Sequence, residues 1–387
     1  MGRSMFIYPW DLLDEGIVKT LRLLKDMGMT SISLSVSYHS GKFLLPHNPK
    51  KKIYYHPSGR IYYRPNYKEY KILKPKLGEA YKQYSDNDDR YDLISRIIKE
   101  AKELDMEVKA WVVGFHNSRL GKDHPQYVVR NVYGEPYYHA LCPNYTETKH
   151  YVLKMIEDLL TQYDLDAIEL ESFDYLGCLH GDHHEIIGMQ NKQFLEKLLG
   201  LCFCPNCESK AEELGGNVNN LKRNLRKKLD LACNLESEGM FDDIPHYEQF
   251  LNMRTMVVEE LYRNIKMLIS ETGRNVSLNA LVWMAGGSDP SFYGTSVKVL
   301  DTYVDSWIAC YPESAQDVKS FVLRAKEIIP EEKLKGGVRM LEPQLTHPHQ
   351  VADYITQYER AGVKDLYFYN YGLTPNETLL QLKRCFV

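Results

Sequence analysis

The chain lacks a charge excess of either sign: 48 Lys and Arg against 52 Asp and Glu leave a net charge of -4. That balance argues against a polyanion such as nucleic acid as a partner. The one basic run, Pro49-Lys-Lys-Lys52, reads as a solvated loop face. Also missing is any uninterrupted apolar run long enough to span a bilayer. Met1–Trp10 enters a strand-like segment without the apolar core and small-residue cleavage site of a signal peptide. The expectation is a soluble, cytoplasmic protein with no membrane partner. Cysteine is scarce, eight in 387 residues, and scattered apart from one group, which suits a reducing compartment better than a disulfide framework. Internal repeats and low-complexity segments are absent.

What the chain does have is an alternation of short β-like runs with longer helical ones, the pattern of parallel α/β architecture. The strand-like runs fall at 5–8, 31–37, 107–113, 166–171, 275–281, 304–311, 337–342 and 365–371. Eight rounds without a linker favour one (β/α)8 TIM barrel over residues 1–387, rather than a doubly wound sheet. Large insertions are expected after strands 2 and 4. The first, about 38–87, is rich in Tyr, Lys and Pro, and the second, about 172–245, holds histidines, the cysteine group and a basic helical stretch, Leu221–Leu231. Of the 29 tyrosines, those between Tyr54 and Tyr84 form either a stacking surface for sugars or bases, or a packed lid.

The chemical centre is expected in Asp166-Ala-Ile-Glu-Leu-Glu-Ser-Phe-Asp-Tyr175. Glu169 and Glu171 lie two apart in an apolar strand and so project from the same face. Two like charges on a buried face push at least one pKa upward. In a barrel, Ile168 and Leu170 pack under helices and the glutamates face the interior, with Glu171 nearest the mouth. Glu342 is expected to end strand 7 as Glu171 ends strand 4, on a face shared with Val338 and Met340. Glu169 has an alternative reading as an interior ion pair with Lys109 or Arg339, and Glu342 as a loop cap. Asp174 and Glu313 are reserve carboxylates, and Asp166 a strand-entry residue.

On these residues the sequence resembles the glycoside-hydrolase barrels, in particular the clan whose acid/base follows strand 4 and whose nucleophile follows strand 7. That clan usually has Asn before the strand-4 glutamate, where this chain has Leu170. Leu165-Asp-Ala-Ile-Glu-Leu-Glu171 also looks like the strand 4 of other glycosidase barrels. The chain further resembles uncharacterised glycosidase-like proteins in which this strand is followed by a histidine-rich loop and a C-F-C-x-x-C segment. The resemblance implies a retaining glycoside hydrolase with a carbohydrate substrate and no required cofactor. Glu171 would be the acid/base, Glu342 the nucleophile ~5 Å away, and Glu169 a tuning group. A metal-dependent hydrolase or isomerase and a non-catalytic carbohydrate-binding barrel are the other readings, and a homo-oligomer is compatible with all three.

Trp10, Tyr38, His39, Trp111, His116, Asn279, Trp283, Tyr311, Tyr369 and Tyr371 fall at or just past strand ends, and His180 follows Glu171 closely. Aromatic faces stack on the C–H face of a pyranose, and His, Asn and Tyr bond hydroxyls; barrel-mouth packing is the plain alternative. Cys204 and Cys207 have the C-x2-C spacing that presents two thiolates to one metal. Cys202, His180, His183 and His184 are candidates for the remaining ligands, with a structural zinc as natural occupant. Cys142, Cys178, Cys233, Cys310 and Cys385 read as buried small apolar residues.

Overall fold

The computed structural model describes residues 2–85, 92–178, 180, 192–233, 244–284 and 289–386. Eight parallel strands close into a barrel: β1 (Arg3–Ile7), β2 (Ser31–Tyr38), β3 (Glu107–Val113), β4 (Ala167–Glu171), β5 (Ser277–Trp283), β6 (Ser306–Cys310), β7 (Leu334–Arg339) and β8 (Leu366–Tyr369). Each strand pairs with its neighbours in chain order, and closure comes from β1, which pairs with both β2 and β8. The chain is therefore a (β/α)8 barrel. Among the described residues no helix is long and apolar enough to cross a membrane.

The sequence of β2, Ser-Ile-Ser-Leu-Ser-Val-Ser-Tyr, shows how the barrel is built. Ile32, Leu34 and Val36 are fully buried, and the alternating serines take the other face. Ser33 Oγ meets Ser4 Oγ of β1 at 2.9 Å, so small hydroxyls lie where two strands crowd the bore. Helices cover the outside by ordinary amphipathic logic. In Leu93–Glu103, Asp92 caps the first turn by accepting from Ser95 N (2.9 Å), while Leu93, Ile94, Ile97 and Ala101 are buried. Among the described residues the longest helix, Tyr247–Glu271, buries Phe250, Met253, Val257, Leu261 and Ile265, a three-and-four spacing on one face.

Between β2 and β3 lie an antiparallel hairpin, Gly41–Leu44 with Ile53–His56, and a short strand, Arg60–Ile61, that pairs antiparallel with the end of β2. Its tyrosines are mostly packed: Tyr62, Tyr63, Tyr70 and Tyr81 are buried, and Tyr55 and Tyr67 are exposed. Between β4 and β5 the described residues form helices Lys192–Leu199, Pro205–Glu213 and Val218–Cys233 ahead of Tyr247–Glu271.

β7 departs from the expected register. It ends at Arg339, not at 342, and its inward face carries Gly337 and Arg339. A Cβ on Gly336 would meet Tyr358 of the covering helix Gln350–Arg360, whereas one on Gly337 would meet the Tyr311 ring, 2.9 Å away. Val338, Met340 and Glu342 therefore do not share the interior face. Glu342 stands three positions past the strand, exposed.

Candidate active site

The bore is filled in steps. Deep inside, Glu169 is fully buried, and its Oε1 accepts a long bond from Asn279 Nδ2 (3.4 Å), with the Ser33 and Tyr367 hydroxyls also directed at the carboxyl. Burial raises its pKa, opposed chiefly by the Lys109 ammonium. Lys109 itself donates to Tyr367 OH (3.1 Å). Of the two partners expected for Glu169, Lys109 is thus the one beside it. Asn279, expected at the mouth, belongs to this interior layer, because β5 runs on to Trp283. Above it Phe6, Trp111 and Tyr369 pack edge to face, with centroids 5.0 to 6.0 Å apart.

Glu171 ends β4 and is half-buried. Its Oε2 accepts a short bond from Trp111 Nε1 at 2.6 Å. Burial pushes its pKa up to about 7, against the Trp111 bond and with help from the Asp174 charge. Around it stand Tyr38, Tyr311 and Tyr369, whose hydroxyls are held above the usual phenol range by burial and, further, by the Glu171 charge. The hydroxyls of Tyr8, Tyr38 and Tyr369 form a triangle with sides of 3.0, 3.1 and 3.3 Å. Tyr8 has no counterpart among the sequence-level candidates; its place at the end of β1 was the available signal.

Asp174, three residues on, accepts from Thr295 Oγ1 at 2.7 Å. Burial raises it to about 6, opposed by the Thr295 bond and the Arg254 charge. Arg254 is fully buried between the rings of Tyr175 (4.5 Å) and Phe292 (4.8 Å), and its guanidinium nitrogens make no hydrogen bond. The carboxyl electrostatically coupled to Glu171 is therefore Asp174. Glu342 and Glu313 are both exposed.

The remaining candidates divide. Trp283 is 50% exposed and meets Tyr311 edge-on at 5.7 Å, an open aromatic face at the mouth. His39 stacks on Tyr38 and on His116, and His180 Nε2 lies 3.1 Å from His116 Nδ1, so three loops bring their imidazoles together. Trp10 is buried, stacked on Tyr8 and packed against Tyr54, His56 and Tyr62. Tyr371 turns away: it is buried past the end of β8 and donates to Glu15 Oε2 (2.8 Å). His183 and His184 lie outside the described residues.

The cysteine group gains a member. The Sγ atoms of Cys142, Cys202, Cys204 and Cys207, all fully buried, lie within 4.8 Å of one another, an arrangement able to hold a metal ion. Burial pushes the Cys142 and Cys207 thiols up, while hydrogen bonding with Cys142, Cys202 and Cys207 pulls Cys204 below the usual thiol range. Cys142, which read as a small apolar residue, is thus part of a sulfur cluster. The clue in the sequence is a repeated tripeptide, Cys142-Pro-Asn144 and Cys204-Pro-Asn206.

Comparison with known proteins agrees with this architecture. The family described as Glycosyl hydrolase-like 10 matches residues 56–193, less than half of the 387-residue chain but a stretch that contains β3, β4 and both of its glutamates. No curated protein matches the chain. Among solved structures, the glycoside hydrolase domain of PgaB (BpsB) from Bordetella bronchiseptica superposes with a TM-score of 0.63 at 10% identity, covering 98% of each chain. Alpha-L-fucosidase isoenzyme 2 from Paenibacillus thiaminolyticus gives 0.62 at 14% identity, covering 100% of this chain and 49% of that one. The catalytic domain of beta-amylase from Paenibacillus polymyxa gives 0.55 at 11%, covering 99% and 97%. This chain spans about half the length of the fucosidase. At such identities the likeness establishes the barrel, and the chain resembles glycoside hydrolases in that fold.

Proposed function

We propose that the protein is a retaining glycoside hydrolase acting on an oligosaccharide or glycoside. The observation that carries the reading is Glu171: a carboxyl at the mouth end of β4, bonded to Trp111 and raised to about 7, retains its proton near neutrality and can donate it to a glycosidic oxygen. Asp174, raised to about 6, ionises first. It takes the role of second carboxylate in place of Glu342, which stands exposed three positions past the end of β7. In this reading Asp174 attacks the anomeric carbon as the leaving group takes the Glu171 proton. Glu171 then deprotonates the water that releases the sugar. Trp283 and Tyr311 supply the stacking wall, His39, His116 and His180 contact hydroxyls, and Glu169 holds the layer below.

A metal-dependent reaction is the competing chemistry. The cysteine group has four sulfur donors and leaves no open position for a substrate, so such a mechanism draws its ion from Glu169, Glu171 and the histidines. The seven cysteines whose side chains are described form no disulfide, which fits a reducing compartment, and we place the protein in the cytoplasm.

The test is a panel of chromogenic glycosides assayed with wild type and Glu171→Gln, with the anomer of the first-formed product read by NMR. Turnover that vanishes in the variant and a product of retained configuration support the assignment. Full activity in Glu171→Gln overturns it, and inverted product overturns the double-displacement step. Binding without product from any glycoside converts the reading to a carbohydrate-binding barrel, and loss of turnover on chelation, with the fold intact, to the metal-dependent one.

A further inference from the structure

We infer that Cys142, Cys202, Cys204 and Cys207 form a structural tetrathiolate zinc site that pins the segment following β4 to the connection that follows β3.

The sulfurs are spaced for a shared ion and not for disulfides. Cys142 Sγ lies 3.6 Å from Cys204 Sγ, 3.5 Å from Cys207 Sγ and 3.7 Å from Cys202 Sγ. A disulfide requires ~2.05 Å. A tetrahedron with Zn–S bonds of ~2.3 Å has edges of ~3.8 Å. Four buried soft donors without an oxygen or nitrogen among them fit zinc in a closed site, with no vacant position for catalysis.

The surrounding groups are arranged for anionic sulfur. Asn144 N donates to Cys142 Sγ (3.4 Å), Asn144 Nδ2 points at Cys207 Sγ (3.7 Å), and Tyr175 OH lies 3.4 Å from Cys207 Sγ. The two Cys-Pro-Asn turns also face each other reciprocally. Asn144 Nδ2 donates to Asn206 O (2.9 Å), and Asn206 Nδ2 donates to Asn144 O (3.2 Å). Each turn thus holds the other in place while presenting its cysteine to the common centre. Cys142 follows strand Pro136–Leu141, and Cys204 caps helix Pro205–Glu213. The ion would fasten two segments sixty residues apart. Tyr175 brings in a third, because it follows Glu171 and Asp174 on the same turn. The assignment does not depend on the hydrolytic reading, since it concerns no reacting group.

The experiment is elemental analysis of protein purified without metal-affinity steps, followed by cobalt exchange. One zinc per chain is expected, and the cobalt form should show intense sulfur-to-metal charge transfer together with tetrahedral d–d bands. Cys142→Ser should lose the stoichiometric zinc, and Cys385→Ser, outside the group, should keep it. Because Cys142→Ser can fail to fold, wild type is also titrated with an organomercurial, where zinc release should track modification of four thiols. Folded wild type that holds no zinc and gives no thiolate–cobalt band overturns the site. Stoichiometric iron overturns the zinc assignment, and so does an intact mass that shows a disulfide among the four cysteines.

Discussion

Two buried polar groups of this protein handle the same difficulty in opposite ways. Around Glu171 a carboxyl receives one short bond, from Trp111, and is otherwise bounded by aromatic rings and by the like charge of Asp174. Around Cys142 the polar atoms are matched reciprocally, sulfur to sulfur and amide to carbonyl. The first group is under-supported and so titrates near neutrality. The second is over-determined, and its donors converge on one centre. The difference separates a place built to change protonation state from a place built to hold one geometry.

The sharpest way to break that comparison is Glu171→Gln. Loss of a general acid is expected to lower kcat by ~10²–10⁴-fold, measured on any glycoside the wild type cleaves, with an unchanged circular-dichroism spectrum. A loss below tenfold would place Glu171 among the structural groups.

The same variant tests the under-support itself. A carboxyl at ~4.3 in the unfolded chain and raised to about 7 when folded binds its proton more tightly in the native state. Its contribution therefore declines as pH rises through that window and is level above it. Glu171→Gln should match wild type in denaturant unfolding near pH 4 and exceed it at pH 8, by up to ~4 kcal/mol. Equal stability at both pH values would show that the carboxyl is well satisfied. Next in size, Asp174→Asn removes a charge that raises Glu171, so the Glu171 titration should move to lower pH. The emission of Trp111, which donates to this carboxyl, reports it, with Trp111→Phe as the blank. The smallest effect is expected from Trp283→Ala. Its open face should be worth ~1 kcal/mol of stacking, seen as about a fivefold higher KM with kcat unchanged.

The barrel was legible because parallel strands and their helices repeat with two distinct periods, and short β-like runs alternate with helical ones eight times along the chain. Glu171 was legible for a related reason: Ile168 and Leu170 mark the helix side of β4, so the alternate positions face inward. The same reasoning, applied to Lys-Gly-Gly-Val-Arg of β7, points the other way from the expectation for Glu342. Apolar Val338 and Met340 mark the helix side there too, and the inward positions are a glycine filled by the Tyr311 ring and an arginine. Asp174 stood only as a reserve, since its coupling to Glu171 depends on a turn in which Ser172 takes a positive φ of 57°. Cys142 was hidden because a lone cysteine carries no spacing; only its shared tripeptide with Cys204 points to a partner sixty residues on. His183 and His184 lie outside the described residues, and the structure adds nothing to their reading.

The hydroxyl triangle of Tyr8, Tyr38 and Tyr369 bears on how a sugar would be met. Three phenols fixed at about 3 Å from one another stand as water molecules stand in liquid, yet they were immobilised when the chain folded. Burial keeps all three protonated, so they act as a neutral, pre-ordered hydration patch. In the glycosidase reading, a polyol reaching this patch would exchange its own shell for a frozen one, while the change of charge falls to Glu171, whose field reaches Tyr38 and Tyr369.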